Sequence, residues 1–173
     1  MGLAVFFQDK LVGELDNIET LCHLIISNKF QNATITIQNP FDYNSNISLY
    51  ICPVKDTKNN VQIINDYPYI SCNISVTGYV LGLEDILDLS KEETLGTLNT
   101  AVSSYLEYCI NNYLYKTSKG LRSDIDNFGI HVLHNYLTTD KWLASDWLNN
   151  YQNAFFDVNV ESNIISGYLF SKF

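Results

Sequence analysis

The sequence predicts an α+β fold: an antiparallel β-sheet packed against one long α-helix and two or three further helices. Three observations predict it. Apolar and polar residues alternate through the first half of the chain, clearest at Ile70, Cys72, Ile74 and Val76. From Ser90 the apolar spacing becomes helical, and after residue 155 alternation returns. Strands grouped first, helices next and strands last describe α+β organisation, not a repeating βαβ series.

Leu3 to Phe7 and Leu11 to Leu15 read as two short strands around the polar turn Gln8-Asp9-Lys10. Asp16, with Glu19 three residues on, forms a capping-box start. Ile18, Leu21, Cys22, Ile25 and Ile26 then give that helix an apolar face, and Asn28 is its expected stop. Residues 33–37 and 47–51 alternate as strands, with Pro53 marking an edge or bulge at the end of the second. A turn over 56–60 leads to a strand at Val61–Ile64, and 70–76 is the clearest strand, with one face buried and the other wet. Ser90 and Glu93 suggest a second capping box, opening a helix from Lys91 to Lys119 whose stripe runs through Leu95, Leu98, Val102, Tyr105, Leu106, Cys109, Ile110 and Tyr113. Such a helix is long enough, at about 42 Å, to cross a whole sheet. Two more helices are expected at Ser123–Tyr136 and Lys141–Tyr151. Two strands close the chain, Phe156 to Val160 and Ile164 to Phe170, the latter broken at Gly167.

The chain has 173 residues and a net charge of −9, with 46% hydrophobic, 13% aromatic and only 17% charged residues. This suits one domain over 1–173, with residues 1–30 as a candidate small N-terminal subdomain. Charge is scarce, so 20 Asn with many Ser and Thr supply the polar surface. An acidic chain without a basic stripe disfavours nucleic acid. No apolar run reaches the roughly 18–20 residues of a membrane span. The opening Met-Gly-Leu-Ala-Val-Phe-Phe has neither the shape of a signal peptide nor, with Phe6 where Ser or Thr is needed, that of a myristoylation site. The four Cys (22, 52, 72 and 109) form no C-x-x-C, and read as buried free thiols, with one disulfide open if the protein is exported.

The chemistry-bearing residues are sparse. His131 and His134 are neighbours on a helix but point off its apolar stripe and lack further ligands at a useful spacing, so no metal site is expected. His23 has no recognisable partner. Glu84-Asp85 with Asp88, and Glu92-Glu93, read as solvated acidic clusters, the second at a helix start where the macrodipole favours negative charge. The three sequons at Asn32, Asn46 and Asn73 are expected by chance in so Asn-rich a chain. Nucleotide-binding, zinc-protease and hydrolase motifs are absent, so neither a catalytic centre nor a cofactor is expected. Trp142 and Trp147, five residues apart and so about 140° apart on one helix, suggest one ring inside and one near the surface. The outer one would suit a partner contact, since Trp and Tyr are enriched at interfaces.

Three segments together resemble the C-terminal region of the Ger(x)C (GerAC-type) family, the lipoprotein C subunits of spore germinant receptors. They are Ala4 to Leu15 (Ala-Val-Phe-Phe-Gln-Asp-Lys-Leu-Val-Gly-Glu-Leu) with Glu19-Thr20; Lys119 to Gly129 with Asp124-Ile125 and Phe128-Gly129; and Trp142, Trp147 and Phe155 followed by Val158, Val160, Ile164 and Gly167. Leu133-His134-Asn135 and Thr138-Thr139-Asp140 depart from the family pattern. The resemblance implies a non-enzymatic scaffold or interaction subunit of a nutrient germinant receptor, or alternatively a module binding the small nutrient itself. It implies integral-membrane A and B subunits as partners, and a lipid tether to the outer face of the spore inner membrane. No Cys here sits in a lipobox, so the chain reads as a soluble C-terminal fragment. Within it Asp124, Phe128 and Gly129 take structural roles: Asp124 as a cap or dipole partner at a helix start, and Gly129 as a point of close approach.

Overall fold

The computed structural model describes residues 2–7, 9–65, 67–83, 89, 91–133 and 138–165. The chain runs β1 (Leu3–Phe7), β2 (Lys10–Leu15), α1 (Asn17–Ile26), β3 (Ala33–Gln38), β4 (Asn46–Pro53), β5 (Lys58–Ile64), β6 (Tyr67–Leu83) and α2 (Glu92–Tyr115). A π-helical turn at Lys116–Gly120 follows, then α3 (Phe128–Leu133), α4 (Thr139–Ala144), α5 (Trp147–Tyr151) and β7 (Phe155–Ile165).

The α+β expectation holds. β1 and β2 form a separate antiparallel hairpin, and β3 to β7 form one sheet. Its spine is β6, a single 17-residue strand where the alternation marked only 70–76. Residues 69–73 of β6 pair with β5 and β7 at once, and 76–79 with β4 and β7 at once. β4 and β5 therefore lie end to end along one edge of β6, interrupted at 54–57, with β7 along the other. β3 reaches only as far as Ile51, so Pro53 ends β4 where nothing lies beyond it to miss its N–H.

Several details differ from expectation: the helix expected from Ser123 starts only at Phe128, the one expected over Lys141–Tyr151 is two short helices, and the last strand takes another direction. β7 is parallel to β6, so the sheet is mixed. A parallel partner needs a long crossover, and the helices between Leu83 and Phe155 supply it. β7 also runs unbroken through Ile165, where two strands were expected; Gly167 lies outside the described residues, as do the anticipated cap Ser90, the cluster Glu84-Asp85-Asp88, His134 and Tyr136. Lys91 stands at the N-cap of α2, without a side-chain cap.

One face of the sheet is buried. Ile35, Ile37, Ile47, Leu49, Ile51, Ile70, Cys72, Ile74 and Val76 pack with Leu98, Val102, Leu106 and Ile110 of α2 and with Cys22, Ile25 and Ile26 of α1. The other face carries polar and aromatic pairs: Tyr50 stacks on Tyr79 at 5.1 Å, Thr36 meets Ser48 at 3.3 Å, and Tyr69 donates to Asp157 at 3.2 Å. α2 also closes the outer edge of β7. Glu107 accepts from the Val160 N–H at 3.0 Å, and Asn99 accepts from the Ile164 N–H at 2.7 Å. An edge strand left bare would be a pairing hazard, and these side chains remove it.

The capping box of α1 is present in full: Glu19 N–H donates to Asp16 at 2.8 Å and Asp16 N–H to Glu19 at 2.8 Å. Asn28, with φ 58°, turns the chain out of the helix. Its carboxamide binds both backbone groups of Thr57, at 2.6 and 3.2 Å. Thr57 and Asn59 in turn donate to the last helical carbonyls, Ile25 and Ile26, at 2.9 Å each. The β4–β5 interruption thus doubles as the C-cap of α1.

Gly78 and Gly96 give opposite expectations. A Cβ on Gly78 would run into the Tyr50 backbone carbonyl, whereas one on Gly96 of α2 meets nothing within 4 Å. Gly78→Ala should cost about 1–3 kcal/mol by forcing β4 away from β6. Gly96→Ala should stabilise by about 0.5–1 kcal/mol. Urea unfolding of both variants checks this; equal effects would mean that the close approach at Gly78 is absent.

Candidate functional site

The residues between the π-helical turn and α3 concentrate the buried polar chemistry. Two hydroxyls soften the departure from α-helix: Thr117 donates to the Leu114 carbonyl at 2.9 Å and Ser118 to that of Tyr115 at 3.4 Å. Leu121 N–H then reaches back five residues to Lys116 at 2.9 Å. Arg122 and Asn127 both adopt positive φ, bending 121–127 into a compact turn that points Asp124 and Asp126 inward.

Asp124 accepts from the Phe128 N–H at 2.9 Å, the Gly129 N–H at 2.8 Å and the Trp147 indole N–H at 2.8 Å. Three donors converge on one carboxylate at the start of α3, satisfying groups the helix leaves unpaired. Burial pushes this carboxyl above its ordinary range, against the opposite pull of the three donors. Gly129 makes the arrangement sterically possible, since a Cβ there would lie 2.7 Å from the Trp147 indole nitrogen.

Asp126 ties the same turn to the first and second helices. It accepts from His23 Nδ1–H at 2.8 Å and from the Tyr113 hydroxyl at 2.7 Å, and its side chain is 0% exposed. Sequence reasoning found no partner for His23 because the partner lies 103 positions away. The available signal was Tyr113 on the apolar stripe of the long helix, since a buried phenol requires an acceptor. Burial, then the Asp126 charge and hydrogen bond, hold the Tyr113 phenol far above its ordinary range. Lys116 adds a third tie, with Nζ 2.6 Å from Glu19 and 2.9 Å from the Glu14 carbonyl.

The two tryptophans lie on separate helices, α4 and α5, because Asp146 takes a left-handed conformation at φ 45° and breaks the expected single helix. The 140° separation therefore does not apply, and the indoles stack at 6.1 Å. Trp147 is 8% exposed and faces inward, while Trp142 is half-buried. The stack continues to Tyr151 at 6.0 Å, and edge-on contacts extend the cluster to Phe156 at 6.1 Å and on to Tyr115 at 5.1 Å. Phe128 is buried against Tyr151 at 6.2 Å.

The His23–Asp126 pair has the form of an oriented base, but the nearest hydroxyl, that of Tyr113, is already committed to Asp126. All four cysteines carry free thiols. Burial pushes Cys72 up to about 12, and burial raises Cys22 and Cys109 as well, so none of the three supplies a ready thiolate. His131 is exposed. Among the described residues no three His, Cys, Asp or Glu side chains are grouped to hold a metal, and no helix is long and apolar enough to cross a membrane.

The family model described as spore germination B3/GerAC like, C-terminal, matches residues 1–167. A crystal structure of the GerBC protein is similar in fold, with a TM-score of 0.74 at 19% identity over 91% of this chain. The similarity spans 48% of that chain's length. No curated protein sequence matches this one.

Removing the Asp124 carboxylate orphans three donors, so Asp124→Ala should cost about 3 kcal/mol or more, with a red shift in tryptophan emission. Gly129→Ala should produce the same red shift at about 1–3 kcal/mol. Because the folded carboxyl titrates above its ordinary value of 3.8, folding takes up a proton in that interval. The contribution of Asp124 to stability therefore falls as pH rises through it. Urea unfolding from pH 7 down to about 4 should show wild type gaining on Asp124→Asn. A pH-independent difference would contradict the raised value.

Proposed function

The chain belongs to the spore germination B3/GerAC-like family through that family's C-terminal region, and from this premise we propose that it is a non-enzymatic interaction module of a nutrient germinant receptor. The observation that carries the reading is the family match over residues 1–167. The full-length protein would work at the outer face of the spore inner membrane, tethered by an N-terminal lipid, beside integral-membrane A and B subunits.

The distribution of polar chemistry supports an assembly role. Asp124, Asp126, His23 and Tyr113 are spent on holding elements together. The surface, in contrast, offers apolar groups. On the β1–β2 hairpin Phe6 is 58% and Leu11 55% exposed, while Val5 and Leu15 anchor the hairpin in the core. Trp142 offers a second, half-buried aromatic surface backed by Trp147. Rigidly supported aromatic side chains are the usual anchors of an interface.

The test is co-purification of the full-length protein with its membrane subunits. Trp142→Ala and the pair Phe6→Ser/Leu11→Ser leave the buried ties intact and should fold. At least one of the two variants should lose complex by about tenfold, the scale of one interface anchor. Full recovery of complex and normal germination with both variants would remove these surfaces as contacts. Failure of the wild-type protein to co-purify would remove the assembly reading itself.

A further inference from the structure

At the end of the sheet where β6 and β7 begin lies a cleft of about 450 Å³, bounded by Tyr67, Tyr115, Lys119, Asn153, Ala154 and Phe155. That volume falls within the roughly 300–1,000 Å³ of small-molecule sites. Its walls are aromatic and oriented: Tyr67 meets Phe155 edge-on at 6.5 Å, and Tyr115 is set by an edge-on contact with Phe156 at 5.1 Å.

The polar groups at its rim are uncommitted. Lys119 Nζ stands 4.9 Å over the Tyr115 ring and has no carboxylate partner among the described residues. The hydroxyls of Tyr67 and Tyr115 and the carboxamide of Asn153 likewise have no hydrogen-bond partner among the described residues. This contrasts with the buried turn nearby, where Asp124 and Asp126 are fully engaged. Lys119 lies within the π-helical turn, a local geometry found often at functional sites.

We propose that this cleft binds a small carboxylate with a flat apolar body. The carboxylate would take hydrogen bonds from the Lys119 ammonium and the Asn153 carboxamide, and the body would lie against Tyr67, Tyr115 and Phe155. The assignment goes beyond the assembly role and does not depend on it. On a chain of net charge −9 long-range attraction for an anion is lacking, so recognition rests on the charge-assisted contact at Lys119.

The test is an amide-resolved NMR titration of the 173-residue chain with 3-phenylpropanoate, 3-phenylpropanol, 3-phenylpropylamine and propanoate. The aryl carboxylate should bind saturably in the millimolar range, as expected for so small a ligand, shifting amides at Tyr67, Lys119 and 153–155. The alcohol and the amine should bind about tenfold more weakly or worse, and propanoate should not saturate. Lys119→Gln, an exposed change, should weaken the carboxylate about tenfold and leave the alcohol unchanged. Phe155→Ser, also exposed, should weaken both aryl ligands. Equal binding of carboxylate and alcohol, an unchanged affinity in Lys119→Gln, shifts confined to another surface, or no saturation would each overturn the proposal.

Discussion

Two carboxylates in one turn, Asp124 and Asp126, hold together the parts of this protein that the sheet does not reach. They stand two residues apart and serve different neighbours. Asp124 fixes the start of α3 and the indole of Trp147. Asp126 fixes His23 of α1 and Tyr113 of α2. A buried carboxylate is costly to desolvate unless its lone pairs are filled, and here backbone and side-chain donors fill them. The arrangement makes the turn a junction whose geometry is over-determined from four directions. In the wide helical turn just before it the hydroxyls of Thr117 and Ser118 add hydrogen bonds to the Leu114 and Tyr115 carbonyls.

The sheet obeys a second constraint, the length of β6. A 17-residue strand offers more edge than one antiparallel neighbour fills, so β4 and β5 share one side and β7 runs along the other. The parallel direction of β7 places its start beside the start of β6. Tyr67, Tyr69 and Phe155 are brought together there, next to the C-terminal end of α2. The aromatic cleft is thus a consequence of strand direction. An antiparallel β7 would have carried Phe155 to the far end of the sheet.

Much of this was legible from residue order. The Asp16–Glu19 capping box, the Asn28 stop and the apolar stripe of α2 are local codes, and the structure reproduces them because each is decided within one helical turn. Asp124 and Gly129 were legible as a cap and a close approach, but not the ligand of that approach, since Trp147 lies 23 residues from Asp124. The break at Asp146 was hidden because a left-handed aspartate looks like any other in sequence, and without it the two indoles could not stack. The direction of β7 was equally hidden: alternation says which face a residue takes, never which way the strand runs. His23 and Asp126 carry no pattern at all, being joined across 103 positions by the packing of α1 against α2.

The abundance of asparagine also takes on a structural meaning. Several of the 20 Asn in this charge-poor chain serve as backbone connectors. Asn28 grips Thr57, Asn59 caps Ile26, and Asn99 receives Ile164 while its own carbonyl accepts from Ser162. Asn39, almost wholly buried, bridges Ser45 and Phe41 across the β3–β4 turn. A carboxamide is both donor and acceptor, so it can join two backbone groups without the desolvation cost of an ion. Carboxamides thus share the sealing of helix ends and sheet edge with the carboxylates of Asp16, Glu107 and Asp124. Among the described residues Lys116 pairs with Glu19, whereas Lys119 sets its ammonium over the Tyr115 ring. An exposed cation set over one ring and beside two others is a feature the packing of the core does not require.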